Sequence, residues 1–294
     1  MVIGRLAEED QERIDEQMEE LYETSEDPFA NEPVRHKALR IHAEQSMNAE
    51  TPAHLLTENY LTSNSLFYIR HHHPVPFLTT EQINSFKLRI DLTGLGKKEL
   101  ALSLDDLKKM PQTSITATMQ CSGNRRSGFN KYQRTSGTGW GQGAISTAKW
   151  TGVRLSYLLE EAGLVNAIEA QEKHGFDHVR FYSLDGLMAS IPIEKAVSPY
   201  GDVIVAYEMN GEILPRDHGY PLRVSAAMLN CQVSPYCPNP HVSLLLLHKC
   251  PARSLFQDMA ASEMLNGSTK LNCTRKKRKA HGNVASTTRS SLLG

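Results

Sequence analysis

Cysteine is scarce where the chain is most regular: of five in 294 residues, Cys121 stands alone in the first 224, while Cys231, Cys237, Cys250 and Cys273 all follow. An odd and lopsided set gives no disulfide framework, and the separation of 231 from 237 fits no strong zinc pattern. Basic residues are scarce at the start, with two among the first thirty against eleven acidic ones. That is the opposite of an Arg-rich transit peptide. Long apolar runs are missing too. The longest, "VSLLLLH", is far short of the roughly 20 residues needed to cross a bilayer as a helix, so no membrane span is expected.

What is present falls into unlike parts. The net charge of −1 divides into +7 from Ser225 onward, where nine Lys/Arg meet two Asp/Glu, and −8 before it. Residues 1–47 read as a charged helix with a narrow apolar stripe at Ile14, Met18 and Leu21, followed by a Pro- and Asn-rich linker. Residues 48–224 read as one domain. Residues 225–294 form a basic tail with little sustained period and a polar end expected to be disordered.

Within the middle segment, "FKLRIDL" alternates apolar positions as a half-buried strand does, and "SLDDLKKM" offers a serine cap followed by acidic residues. "SITATM" and "HVRFYSL" read as strands, "LSYLLEEAGL" as a short helix with a glycine stop, and "VIVAYEMNGEIL" as two strands around an Asn-Gly turn. Strands outnumber helices without regular βαβ alternation, which predicts an α+β domain.

The chemistry centres on "TATMQCSGNRRS". A thiolate is a strong ligand for soft transition metals, Gly123 permits close backbone approach, and Arg125 and Arg126 offer planar forks suited to an oxyanion. Taken alone, such a cysteine is more often core packing than a ligand, and such arginines are usually solvated surface. "LFYIRHHHPVP" adds Arg70 and three histidines. Three consecutive strand residues cannot all face one metal, so zinc at His71 to His73 is not expected. "LPRDHGYPLR" adds Arg216, Asp217, His218 and Arg223, and Asp185 closes a strand. "TRKKRK" suggests a nucleic-acid or nuclear-import signal, but such a run arises in any basic tail, and nucleic acid is not an expected partner.

"ENYLTSNSLFYIRHHHPVP", "LSLDDL", "TATMQCSGNRRS", "GWGQGAISTAKWTGVRL", "MASIPIEKA" and "AYEMNGEILPRDHGYPLRV" together resemble, in order, the molybdenum-cofactor domain of the sulfite oxidase family. The resemblance implies a sulfite-oxidase-like fold with mixed sheets and flanking helices, a molybdenum–molybdopterin cofactor, and oxidation of sulfite to sulfate with electrons passed to cytochrome c or oxygen. It implies that Cys121 is the thiolate ligand of molybdenum and that Arg70 and Arg126 line the anion pocket. Phe67, Tyr68, Ile69, Arg70 and His71, with Asp185, His218 and Arg223, match positions that hold the pterin and its phosphate. It also implies a homodimer and, for animal members, the mitochondrial intermembrane space.

Three departures from that pattern stand out. No haem domain is visible in this sequence; "SLDGLMASIP" is shorter than the family's loop; and the likeness stops at Val224, before the family's downstream pocket residues and immunoglobulin-like dimer domain. The alternatives are therefore a catalytically inactive isoform or, through a related Cys-Ala-Gly-Asn-Arg-Arg motif, a nitrate-reductase-like enzyme.

Overall fold

The computed structural model describes residues 27–97, 99–184, 188–226 and 242–248. The acidic helix expected near residues 7–23 and Asp185 lie outside them. A small antiparallel sheet comes first, β1 (Arg40–Ala43), β2 (Asn48–Glu50) and β3 (Ile69–Arg70), with β2 in the middle. This pairing joins residues on both sides of position 47. The remaining strands are β4 (Lys87–Asp91), β5 (Leu100–Ser103), β6 (Gln112–Gln120), β7 (Ile145–Arg154), β8 (His178–Ser183), β9 (Met188–Pro192), β10 (Val203–Met209), β11 (Glu212–Ile213), β12 (Arg223–Ala226) and β13 (Val242–His248). They form two five-stranded sheets. In one, β11, β10, β7 and β6 follow in order with β12 also on β10; in the other the order is β5, β4, β13, β8, β9.

Local sequence accounts for many boundaries. Ser103 caps the helix Leu104–Lys109 in a reciprocal box with Asp106, and Lys108 and Lys109 sit at its negative end. Asn210 and Gly211 both take positive φ, as a tight β10–β11 hairpin demands. The apolar run "VIVAY" of β10 is buried on both faces: Val203, Val205 and Tyr207 join one core, Ile204, Ala206 and Met209 the other. A strand covered on two sides has no polar alternation, which explains its composition.

The larger core lies between the two five-stranded sheets and the helix Leu155–Glu161, with Leu88, Ile90, Leu155, Leu158, Phe181 and Ile193 fully or almost fully buried. Truncating one of these, such as Leu158→Ala, costs about 2–5 kcal/mol. The smaller core gathers Phe67, Tyr68, Cys121, Trp140 and Trp150 on the opposite face of the β6–β7–β10 sheet.

Beyond residue 226 only residues 242–248 are described, so the expected disorder of the tail's polar end and its four cysteines lie outside the described residues. "VSLLLLH" is a strand, parallel to β4 at Leu244↔Arg89 and antiparallel to β8 at Leu245↔Phe181. A short unbroken apolar run suits a central strand but carries no alternation by which to recognise it. No helix among the described residues is long and apolar enough to span a membrane.

Candidate functional site

The long β6–β7 pairing runs from Gln112↔Val153 to Gln120↔Ile145 and delivers Cys121 to the sheet's end. Cys121 is buried, and its N–H continues the ladder by donating to Ala144 O at 2.9 Å. The chain then turns tightly: Asn124 N donates to Cys121 O at 2.9 Å and Arg126 N to Gly123 O at 3.0 Å. Gly123 N points at Cys121 Sγ from 3.4 Å, so a backbone dipole favours negative charge on the sulfur.

Arg125 occupies the left-handed region at φ 68°, which starts the short helix Arg126–Phe129. Arg126 Nη1 donates to Thr138 O at 3.1 Å. Two glycines make room for that guanidinium: a Cβ on Gly137 would lie 2.5 Å from Nη1, and one on Gly123 would lie 2.9 Å from it. Trp140 is fully buried against Gly123, with its indole N–H unpaired among the described residues.

Arg70 closes β3. Its Nη1 donates to Asn48 Oδ1 at 3.1 Å and to the His71 carbonyl, and its Nη2 lies 3.3 Å from His72 Nδ1. The neighbouring side chains diverge. Ile69 packs with Leu39, Met47 and Ala49, whereas His71 Nε2 meets Asp217 Oδ1 at 3.1 Å. Burial opposes the charge of Asp217, but hydrogen bonds from His71 and Arg35 hold its carboxyl well below the usual range.

Phe67 stacks on Tyr68 and meets Trp150 and His218 edge-on at 5.8 and 5.1 Å. Arg223 lies over the Trp150 ring at 4.9 Å and donates to His218 O at 3.2 Å and to Met119 Sδ at 3.1 Å. Burial, with Arg223 nearby, lowers His218 to about 4, so the ring is neutral. Its Nε2 lies 3.1 Å from Asn64 O, which can only accept. Nε2 therefore donates, and the buried Nδ1, unpaired among the described residues, is left as an acceptor. His218, Asp217, Arg35 and Asn64 line a cleft of about 500 Å³.

Thus Phe67, Tyr68, Cys121, His218 and Arg223 gather around the smaller core, Arg70 and Arg126 sit on separate scaffolds, and Ile69 and His71 turn elsewhere. Asn48, Glu50, Arg35 and Trp140 were not singled out from sequence. Trp140 lies within a quoted motif, but the buried polar residues of β2 leave no periodic signal. Among the described residues, no cluster of three or more His, Cys, Asp or Glu side chains forms an all-protein metal site.

The family model for the oxidoreductase molybdopterin binding domain matches residues 72–232. The mitochondrial sulfite oxidase of Rattus norvegicus is 46% identical over 204 residues, covering 67% of this chain and 36% of that protein. The NADH nitrate reductase of Ulva prolifera is 31% identical over 196 residues, covering 63% and 22%. The sulfane dehydrogenase SoxCD of Paracoccus pantotrophus superposes with a TM-score of 0.56 at 25% identity, over 79% of this chain and 59% of that one. The chain thus spans about a third of the length of the rat relative. With a family match over more than half its residues, on a fold that sets the matching cysteine turn at the end of a long sheet, this chain belongs to the oxidoreductase molybdopterin-binding domain family.

Proposed function

We propose that this chain binds a molybdenum–molybdopterin cofactor and oxidises sulfite to sulfate. The observation that carries the reading is the turn from Cys121 to Arg126, where a buried sulfur faced by an amide N–H is followed by a guanidinium seated between Gly123 and Gly137. The donors fit the cofactor. Cys121 offers one soft ligand, which suits a metal whose remaining ligands come from the cofactor itself. The unspent acceptor on His218 Nδ1 suits a heterocycle rich in N–H groups.

In this reading Cys121 would hold the metal, while Phe67, Tyr68, His218 and Arg223 would hold the pterin and its phosphate; Ile69, His71 and Asp185 join them by resemblance alone. Such a group, when bound, supplies oxygen-atom transfer and two-electron redox chemistry. Arg70 and Arg126 supply positive charge that attracts and orients a dianion. The Trp140 indole N–H adds a neutral donor beside Arg126.

The greater identity to the rat sulfite oxidase than to the Ulva nitrate reductase supports sulfite over nitrate. The same likeness supports cytochrome c or oxygen as acceptor and a mitochondrial location. The proposed division is a lead-in (1–47), a cofactor domain (48–224) and a tail (225–294). The family match ends at residue 232, and the unmatched residues 233–294 favour a second reading, an inactive isoform.

The deciding experiment expresses the 294-residue chain in a cofactor-producing host and measures molybdenum and pterin per chain, with Cys121→Ser alongside. Near-stoichiometric metal and sulfite turnover in the parent, both lost in the variant, are expected. Metal no higher than in Cys121→Ser would leave the inactive reading.

A further inference from the structure

We infer that Glu50 is a positioning residue for the anion pocket, fixing the turn that bears Arg126 relative to Arg70. This rests on the oxyanion role proposed above for the two arginines. β2 is the middle strand of the small sheet, and Asn48 and Glu50, two residues apart, project to the same side of it. Both are buried. Asn48 Oδ1 accepts from Arg70 Nη1 at 3.1 Å. Glu50 Oε2 accepts from Gly141 N at 2.6 Å, and the carbonyl of that same Gly141 accepts from Arg125 N at 2.6 Å.

The relay ends where geometry is most demanding. Arg125 is in the left-handed conformation, a costly one for a residue with a Cβ, and its N–H is held by the peptide that Glu50 anchors. The next residue is Arg126. Adjacent bonds follow the same course: Ser127 N donates to Trp140 O at 3.0 Å, and Arg126 Nη1 to Thr138 O at 3.1 Å. The strand and the 138–144 segment touch so closely that a Cβ on Gly141 would lie 2.4 Å from Glu50 Oε1, and one on Gly143 would lie 1.9 Å from Thr51 O.

Other groups hold the carboxylate in place. His42 Nε2 lies 3.3 Å from Oε2, outside hydrogen-bond alignment, with its ring edge-on to Trp140 at 5.1 Å, and the exposed Arg40 Nη1 lies 3.4 Å from Oε1. A buried carboxylate is expensive unless it is matched by donors, and here it accepts from the Gly141 N–H and from Arg40 Nη1. One strand therefore sets both guanidinium groups, one through an amide side chain and the other through a carboxylate and a peptide.

The test compares the full chain with Glu50→Ala and Glu50→Gln, which keeps an acceptor for Gly141 N. Hydrogen exchange is read at the Arg125 and Gly141 amides, and the sulfate concentration that half-protects Cys121 from alkylation is read alongside. In Glu50→Ala both amides exchange at least about tenfold faster while the β6–β7 ladder keeps its protection, and half-protection needs about tenfold more sulfate. Glu50→Gln restores most of both. Unchanged Arg125 exchange in Glu50→Ala, or a ladder that loosens equally, overturns the inference. Faster Arg125 exchange in a chain whose parent sulfate does not protect upholds the strut and overturns the oxyanion reading instead.

Discussion

Arg35 grips Asp217 across 182 positions of sequence, with Nη2 2.8 Å from Oδ1 and Nε 3.1 Å from Oδ2. The pair is largely buried and is extended by His71 on one side and Glu32 on the other, so it pins the lead-in segment to the turn that carries His218. Removing one partner strands the other charge. Asp217→Asn is expected to cost about 3–5 kcal/mol, measured by denaturant titration.

Acid should weaken the fold in two successive windows. His218 is lowered from 6.5 to about 4, so between those values the unfolded chain binds the extra proton and stability falls as pH drops. Asp217 is depressed below 3.8, so its contribution is intact above that value and is lost as pH falls further. Melting temperature against pH should show the first loss in the parent and a flatter profile from pH 6.5 to 4 in His218→Gln.

Gly143→Ala and Gly139→Ala form a matched pair. The first places a Cβ 1.9 Å from the Thr51 carbonyl, whereas the second meets nothing within 4 Å. Overpacking against backbone should cost about 1–3 kcal/mol at Gly143 and less than about 0.5 at Gly139, as read from unfolding midpoints.

Arg126→Lys keeps the charge but loses the planar fork that reaches Thr138 O. Under the proposed sulfite reaction, the KM for sulfite in cofactor-loaded protein should rise at least about tenfold, with a smaller change in kcat, as steady-state kinetics would show.

Deleting residues 242–248 removes the strand between β4 and β8. Calorimetry should then show a broadened, lower transition, because both neighbours lose a ladder at the centre of their sheet.

Elements with a local signature were legible. The Ser103 cap, the Asn210–Gly211 hairpin and the alternation of β4 each follow from chemistry within a few residues. Cys121 and the arginines could be read because a motif gathers them. The strut of Glu50 was not legible, since its partner Gly141 lies 91 positions away and a lone glutamate in "NAET" has no period to betray it. β13 was hidden for a related reason: an unbroken apolar run fits a buried strand or a stray tail equally well.

The place of β13 also sets a timetable. Synthesis proceeds from the N-terminus, so β4, β5, β8 and β9 leave the ribosome before the strand that must lie between them. Until residue 248 emerges, β4 and β8 each present a row of unpaired peptide groups, the feature that recruits foreign strands. Pairing residue 244 with residue 89 is a long-range closure and therefore slow. The nascent chain thus keeps two open strand edges until late in its synthesis.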